Sequence, residues 1–126
     1  MPKILVVDDD PDVVDAVTAF LERSGYIVKS ASSRKEGLAA VRAEQPDLII
    51  LDVMMEEPDD GFAMAQELRR DGFKKPIVLL TSISRVTGYS YGVDAAMVPV
   101  DDFVEKPVAP SVLVEKVKAL LQKTEG

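Results

Sequence analysis

Three aspartates, a threonine and a lysine are spaced along this chain so that each falls at or just past the carboxyl end of an apolar run. Ile4-Leu5-Val6-Val7 leads into Asp8-Asp9, Leu48-Ile49-Ile50-Leu51 into Asp52, Ile77-Val78-Leu79-Leu80 into Thr81, and the short Phe103-Val104 into Glu105-Lys106. If these runs are parallel strands of one sheet, the five side chains converge on the edge where open α/β sheets bind ligands. Three carboxylates, one hydroxyl and one ammonium then form a candidate metal and phosphoryl site. Cysteine and histidine are both absent, which removes disulfides, thiolate zinc sites, cysteine nucleophiles and every histidine general base. Covalent chemistry in this chain must use a carboxylate as nucleophile.

The elements that would position these groups alternate strand and helix. Asp10-Pro11 is an N-cap with proline at the first helical position, and Val13, Val14, Val17, Phe20 and Leu21 follow at helical spacing until Gly25. Tyr26 to Ala31 reads as a second strand. Ser33-Arg34-Lys35-Glu36 is a capping box opening a helix with Leu38 and Val41 inside, ended by Pro46. A third helix is expected over Phe62 to Arg70, burying Phe62, Ala65 and Leu68 or their neighbours. A last helix from about Pro110 carries Leu113, Val117, Leu120 and Leu121 on one stripe. Continuous rather than alternating apolar strands argue a parallel sheet covered on both faces.

Bulk properties narrow the function classes. The 126 residues, 47% hydrophobic, suit one domain spanning 1–126 with a full core. No run approaches a membrane span and Met1-Pro2-Lys3 leads into a strand, so a cytoplasmic location is expected. A net charge of -7, with no Lys/Arg cluster interleaved with aromatics, leaves no nucleic-acid footprint in this chain.

Taken together, Ile4–Pro11, Leu51-Asp52-Val53-Met54-Met55, Leu79-Leu80-Thr81-Ser82 and Asp101–Pro107 resemble the receiver domain of bacterial two-component response regulators. Each piece alone is a weak signal; their order and separation are specific, and the resemblance covers essentially the whole chain. It implies a flavodoxin-like, doubly wound five-stranded parallel sheet of order 2-1-3-4-5 with helices on both faces. It also implies that Asp52 accepts a phosphoryl group from a phosphohistidine of a sensor histidine kinase or histidine phosphotransfer protein, switching a surface read by an output partner or effector domain. On this reading the protein is no ordinary enzyme, but catalyses its own aspartyl phosphorylation and slow dephosphorylation. Mg²⁺, with Mn²⁺ as the substitute, would be held by Asp9, Asp52 and the Met54 carbonyl, with Asp8 acting mainly through a bound water. Thr81 and Lys106 would contact the phosphoryl oxygens, Thr81 and Phe103 would form the switch, and Pro107 is the candidate cis-proline.

Asp10 reads better as an N-cap than as a ligand, and Glu56, Glu57, Asp59 and Asp60 as a solvated acidic loop. Phe103 is as well explained by the core as by a switch. The pattern also departs from the family: Glu56 replaces the usual proline, Asp52 to Gly61 is one residue longer, and Thr81 to Lys106 is longer too. Within the latter, Gly88, Gly92 and Pro99 disfavour a regular helix over Ser84 to Val100, so the fourth helix of the resemblance is expected to be atypical or shortened, presenting Tyr89 and Tyr91. The resemblance implies that Met54 and Ile83 flank the phosphoryl group, and their apolar side chains then predict slow phosphate loss. The competing functions are a pseudo-receiver acting as a phosphorylation-independent interaction module, a flavodoxin-like cofactor binder, which acidic residues after the first strand disfavour, and an aspartate-nucleophile phosphatase, which lacks a second aspartate two residues after Asp52.

Overall fold

The computed structural model describes residues 2–52, 60–81, 100–106 and 108–125. Along them run β1 (Lys3–Val7), α1 (Pro11–Arg23), β2 (Ile27–Ala31), α2 (Arg34–Glu44), β3 (Leu48–Asp52), α3 (Asp60–Arg70), β4 (Ile77–Thr81), β5 (Asp102–Glu105) and α4 (Pro110–Glu125). The strands form one parallel sheet of order β2-β1-β3-β4-β5, the flavodoxin-like topology expected from the sequence.

Period-two alternation divides the apolar runs between two cores. Ile4, Val6, Leu48, Ile50, Val78 and Leu80 pack with Val17 and Leu21 of α1 and Leu113, Val117 and Leu121 of α4. Leu5, Val7, Ile49, Leu51, Ile77 and Leu79 face the other way, onto Val41 of α2 and Met64, Ala65 and Leu68 of α3. The central strands therefore need apolar residues at every position, because both faces are covered. Burying each leucine or isoleucine contributes about 1.5–3 kcal/mol. The stripe on α3 includes Met64, whose Cε would lie 2.8 Å from a Cβ placed at Gly37; the lack of a side chain there lets α2 approach α3 and β1 closely.

The helix ends explain how the chain turns back into the sheet. Gly25 and Gly72 sit at φ 95° and 92°, a region open to glycine because it has no Cβ. Tyr26 N–H donates to Leu21 O and Gly25 N–H to Glu22 O, and the same pair of bonds recurs from Phe73 to Leu68 and from Gly72 to Arg69. Both are Schellman closures, each with an aromatic folded back over a leucine of the same core.

Local expectations needed adjustment at the Ser33 cap, at the start of α3 and in β5, while Pro46 ends α2 as expected. The capping box at Ser33 is half-formed: Ser33 Oγ accepts from Glu36 N–H, but Glu36 Oε1 accepts from Ser32 N–H and Oγ instead of reaching back to Ser33. α2 ends through Gln45, left-handed at φ 48°, because the proline that follows disfavours the right-handed helical conformation there. α3 starts at Asp60, two residues earlier than expected, and β5 takes in Asp102 and Glu105. The expectations for Met54, Glu56, Glu57, Asp59, Ile83, Tyr89, Tyr91, Pro107 and the segment from Ser84 to Pro99 lie outside the described residues.

Candidate functional site

Register builds the site. β1 and β3 pair Val6 with Ile50 and Val7 with Leu51, so one step further Asp8 stands beside Asp52, about one strand spacing away. Parity then puts Asp8 and Asp52 on the side of the sheet that carries α1 and α4, because they follow Val6 and Ile50 by two residues. Lys106 follows Val104 of the same core by two residues and arrives on that side too. Its backbone N–H donates to Thr81 O at 2.9 Å, prolonging the β4–β5 ladder past Glu105. Thr81 is the last residue of β4 and has the opposite parity.

The side chains are poised by this framework. Asp8, Asp52 and Thr81 are the buried polar residues among the described ones, at 1%, 5% and 4% exposure. Lys106 Nζ lies 3.2 Å from Asp8 Oδ2 and 3.1 Å from Asp52 Oδ1. Burial works to lower the lysine pKa, but the charges of Asp52 and Asp8 together outweigh it, so the ammonium is held above its ordinary range. Asp8 is tied at three points: its N–H donates to Ala31 O, its Oδ1 accepts from Asp10 N–H at 2.9 Å, and its Oδ2 ion-pairs with Lys106 at 3.2 Å. Asp9 is exposed, since it has left the strand and no neighbouring strand covers it.

One carboxylate oxygen from each of Asp8, Asp9 and Asp52 falls within 4.8 Å of the others. Among the described residues, three carboxylates and one ammonium leave a surplus of negative charge at a partly buried edge, and oxygen donors of this kind suit a hard divalent cation. Asp8 Oδ2, buried and met at 3.2 Å by the Lys106 ammonium, already lies where positive charge is attracted. The residues present therefore fit a divalent ion.

Of the residues singled out in the sequence, Asp8, Asp9, Asp52 and Lys106 come together at one edge, and Thr81 ends the adjacent strand β4. Phe103 lies elsewhere: it pairs with Leu79 in the β4–β5 ladder and packs, half-buried, on the α2/α3 core. Met54 and Pro107 are outside the described residues. Sequence reading missed the bond from Asp10 N–H to Asp8; the signal for it was the Asp-x-Asp spacing of an Asx-turn.

Comparison with known proteins agrees with the geometry. The chain is 38% identical to the DNA-binding dual master transcriptional regulator RpaA of Synechocystis sp., over 99% of this chain and 51% of the relative. It is 39% identical to the alkaline phosphatase synthesis transcriptional regulatory protein PhoP of Bacillus subtilis, over 98% and 50%. The chain thus spans about half the length of these relatives. Among solved structures, the Francisella response regulator 1452 receiver domain superposes with a TM-score of 0.86 at 26% identity, covering 98% of this chain and 99% of that one. Response regulator TrrA of Thermotoga maritima, solved in complex with Mg²⁺-BeF, gives 0.80 at 34% identity, over 95% and 99%. The family model for the response regulator receiver domain matches residues 4–118, and this chain belongs to that family of two-component signalling domains.

Proposed function

We propose that the chain accepts a phosphoryl group on Asp52 from the phosphohistidine of a sensor kinase or phosphotransfer protein, in a reaction that requires Mg²⁺. The observation that carries this reading is Asp52 itself: a nearly buried carboxylate ending a central strand, beside Asp8 and with Lys106 Nζ at 3.1 Å. An Asp52 oxygen attacks phosphorus, the donor's P–N bond breaks, and its electron pair stays on the imidazole nitrogen, which takes up a proton. Lys106 supplies a fixed positive charge to the incoming oxygens, and Thr81, at the adjacent strand end, a hydroxyl donor.

Asp9 and Asp52, with the Met54 carbonyl, would hold the ion directly. Asp8 would act through a bound water, because its Oδ1 already accepts from Asp10 N–H and its Oδ2 faces Lys106. When bound, Mg²⁺ neutralises charge on the transferring oxygens. The solved complex of the TrrA relative with Mg²⁺-BeF supports this choice of ion, since beryllium fluoride has the tetrahedral shape of a phosphoryl group. Mn²⁺ would substitute. The phosphoryl donors and output partners belong to the cytoplasm, and among the described residues no helix is long and apolar enough to cross a membrane. The phosphorylated face would be read by an effector domain or partner protein.

Incubation with acetyl phosphate and Mg²⁺, followed by intact-mass measurement, tests the assignment. Wild type should gain one phosphate, and Asp52→Asn and a chelator-treated sample should gain none. Equal uptake by wild type and Asp52→Asn would overturn it, and no uptake by wild type would favour a phosphorylation-independent interaction module.

A further inference from the structure

The exposed aspartate that caps α1 is joined to the site by one hydrogen bond, in series with the bond by which it caps the helix. Asp10 Oδ1 accepts from Asp12 N–H at 2.9 Å, and Asp10 O accepts from Val14 N–H. In this extended conformation, φ -94° and ψ 109°, Asp10 turns its own N–H back toward the strand, where it donates to Asp8 Oδ1 at 2.9 Å. Asp8–Asp10 and Asp10–Asp12 are thus consecutive Asx-turns. With Oδ1 fixed by the second residue on and its backbone fixed by Ala31 O, Asp8 has one carboxylate orientation left. Its Oδ2 points at Lys106, and the carboxylate stays within ligand reach of those of Asp9 and Asp52. Asp10 is not among the carboxylates that converge there, so its connection to them runs through the bond to Asp8.

We infer that Asp10 is a positioning residue for the metal cradle: by capping α1 with its side chain, it holds its own N–H on Asp8 Oδ1 and orients Asp8 before an ion arrives. The inference rests on the metal-dependent function proposed above. Removing the side-chain acceptor frees the N-cap residue to leave its extended conformation, and the N–H leaves Asp8 with it. Groups that orient ligands from behind are worth about 10–100-fold in metal affinity. Asp10 acts one bond further back, so the lower end, about 10-fold, is expected.

The test compares Asp10→Asn, which keeps an acceptor and loses the charge, with Asp10→Ala, which loses both, and with Asp10→Gly, which lacks the acceptor but suits an N-cap and remains usable if the alanine variant does not fold. Two measurements are made on each: Mg²⁺ affinity by calorimetry, and the amide proton shift of residue 10 in metal-free protein. Positioning predicts a wild-type amide shift and near-wild-type affinity in Asp10→Asn. In Asp10→Ala and Asp10→Gly it predicts an upfield amide shift and about 10-fold weaker binding. Equal affinity in all four proteins, with only the melting temperature lowered in Asp10→Ala, would overturn the inference and leave a helix cap alone. Equal weakening in Asp10→Asn and Asp10→Gly would also overturn it, by assigning the effect to charge. The amide shift separates this outcome from failure of the proposed function, in which wild type itself binds no Mg²⁺ and takes up no phosphate.

Discussion

Two cation–carboxylate centres sit at opposite edges of the same sheet and end in opposite states. At the edge where β4 and β5 begin, Arg69 donates to Phe73 O at 2.9 Å, to Lys75 O at 2.8 Å and to Asp101 Oδ2 at 2.9 Å. Asp101 Oδ2 also accepts from Ile77 N–H, and Asp101 N–H donates to Ile77 O. One positive charge meets one negative charge there, and the group ties the end of α3, the turn after it and the start of β5 into one unit. At the other edge, among the described residues, the Lys106 ammonium pairs with Asp8 and Asp52, and the Asp9 carboxylate lies within ligand reach of both. Among the described residues the first centre is balanced in charge and serves the fold; the second carries surplus negative charge, which suits it to a cation.

That contrast can be broken by experiment, and the largest expected effect is the response to metal. At a concentration 100 times its dissociation constant, Mg²⁺ should stabilise wild type by about 2.7 kcal/mol, read from denaturant unfolding, and Arg69→Met to the same extent. Asp52→Asn should respond far less. A full response in Asp52→Asn would remove that residue from the ion's ligands.

The balanced centre should show the reverse pattern. Arg69→Met leaves two carbonyls and a carboxylate without their donor; because the pair is partly exposed, a loss of about 1–2 kcal/mol of stability is expected, with phosphate uptake retained. Loss of phosphate uptake in a variant that remains folded would show that the two edges are coupled.

A smaller effect concerns Asp52 without metal. Removing one of the surplus carboxylates relieves like-charge repulsion, so Asp52→Asn should be more stable than wild type by about 1 kcal/mol in the presence of chelator. A variant less stable than wild type would mean that the ion pair to Lys106 outweighs the repulsion.

The smallest effect is a titration. The Lys106 pKa is raised above 10.5 against the lowering effect of its burial, chiefly by Asp52 and then by Asp8. Asp52→Asn should lower the midpoint, followed by the side-chain nitrogen shift of Lys106. A folded-state pKa above the unfolded value means that the stability it contributes is fully present below about pH 10.5 and is lost as pH rises through the folded-state midpoint. An unchanged midpoint in Asp52→Asn would contradict the ion pair between the two groups.

Much of this was legible in the residues because the signals are local and periodic. Ile4–Val7, Leu48–Leu51 and Ile77–Leu80 are apolar at every position, which only strands covered on both faces require, and Gly25 marks a helix end through a backbone conformation that disfavours other residues. The reciprocal arm of the capping box went astray because Ser32, one residue before Ser33, offers Glu36 both an N–H and a hydroxyl. Met64 was covered only as a neighbour of Ala65, because its fit against the bare backbone of Gly37 depends on another helix.

The sequence by itself determined the parallel sheet, its two covered faces and the five polar residues placed at the ends of strands, since each follows from an apolar period or its interruption. Tertiary structure decided which oxygen of Asp8 is held by Asp10 and which faces Lys106, that Asp8 is buried while Asp9 is exposed, and that Arg69 belongs with Asp101, 32 residues away. Those outcomes depend on strand register and on side chains brought together from distant parts of the chain, and no local period encodes either.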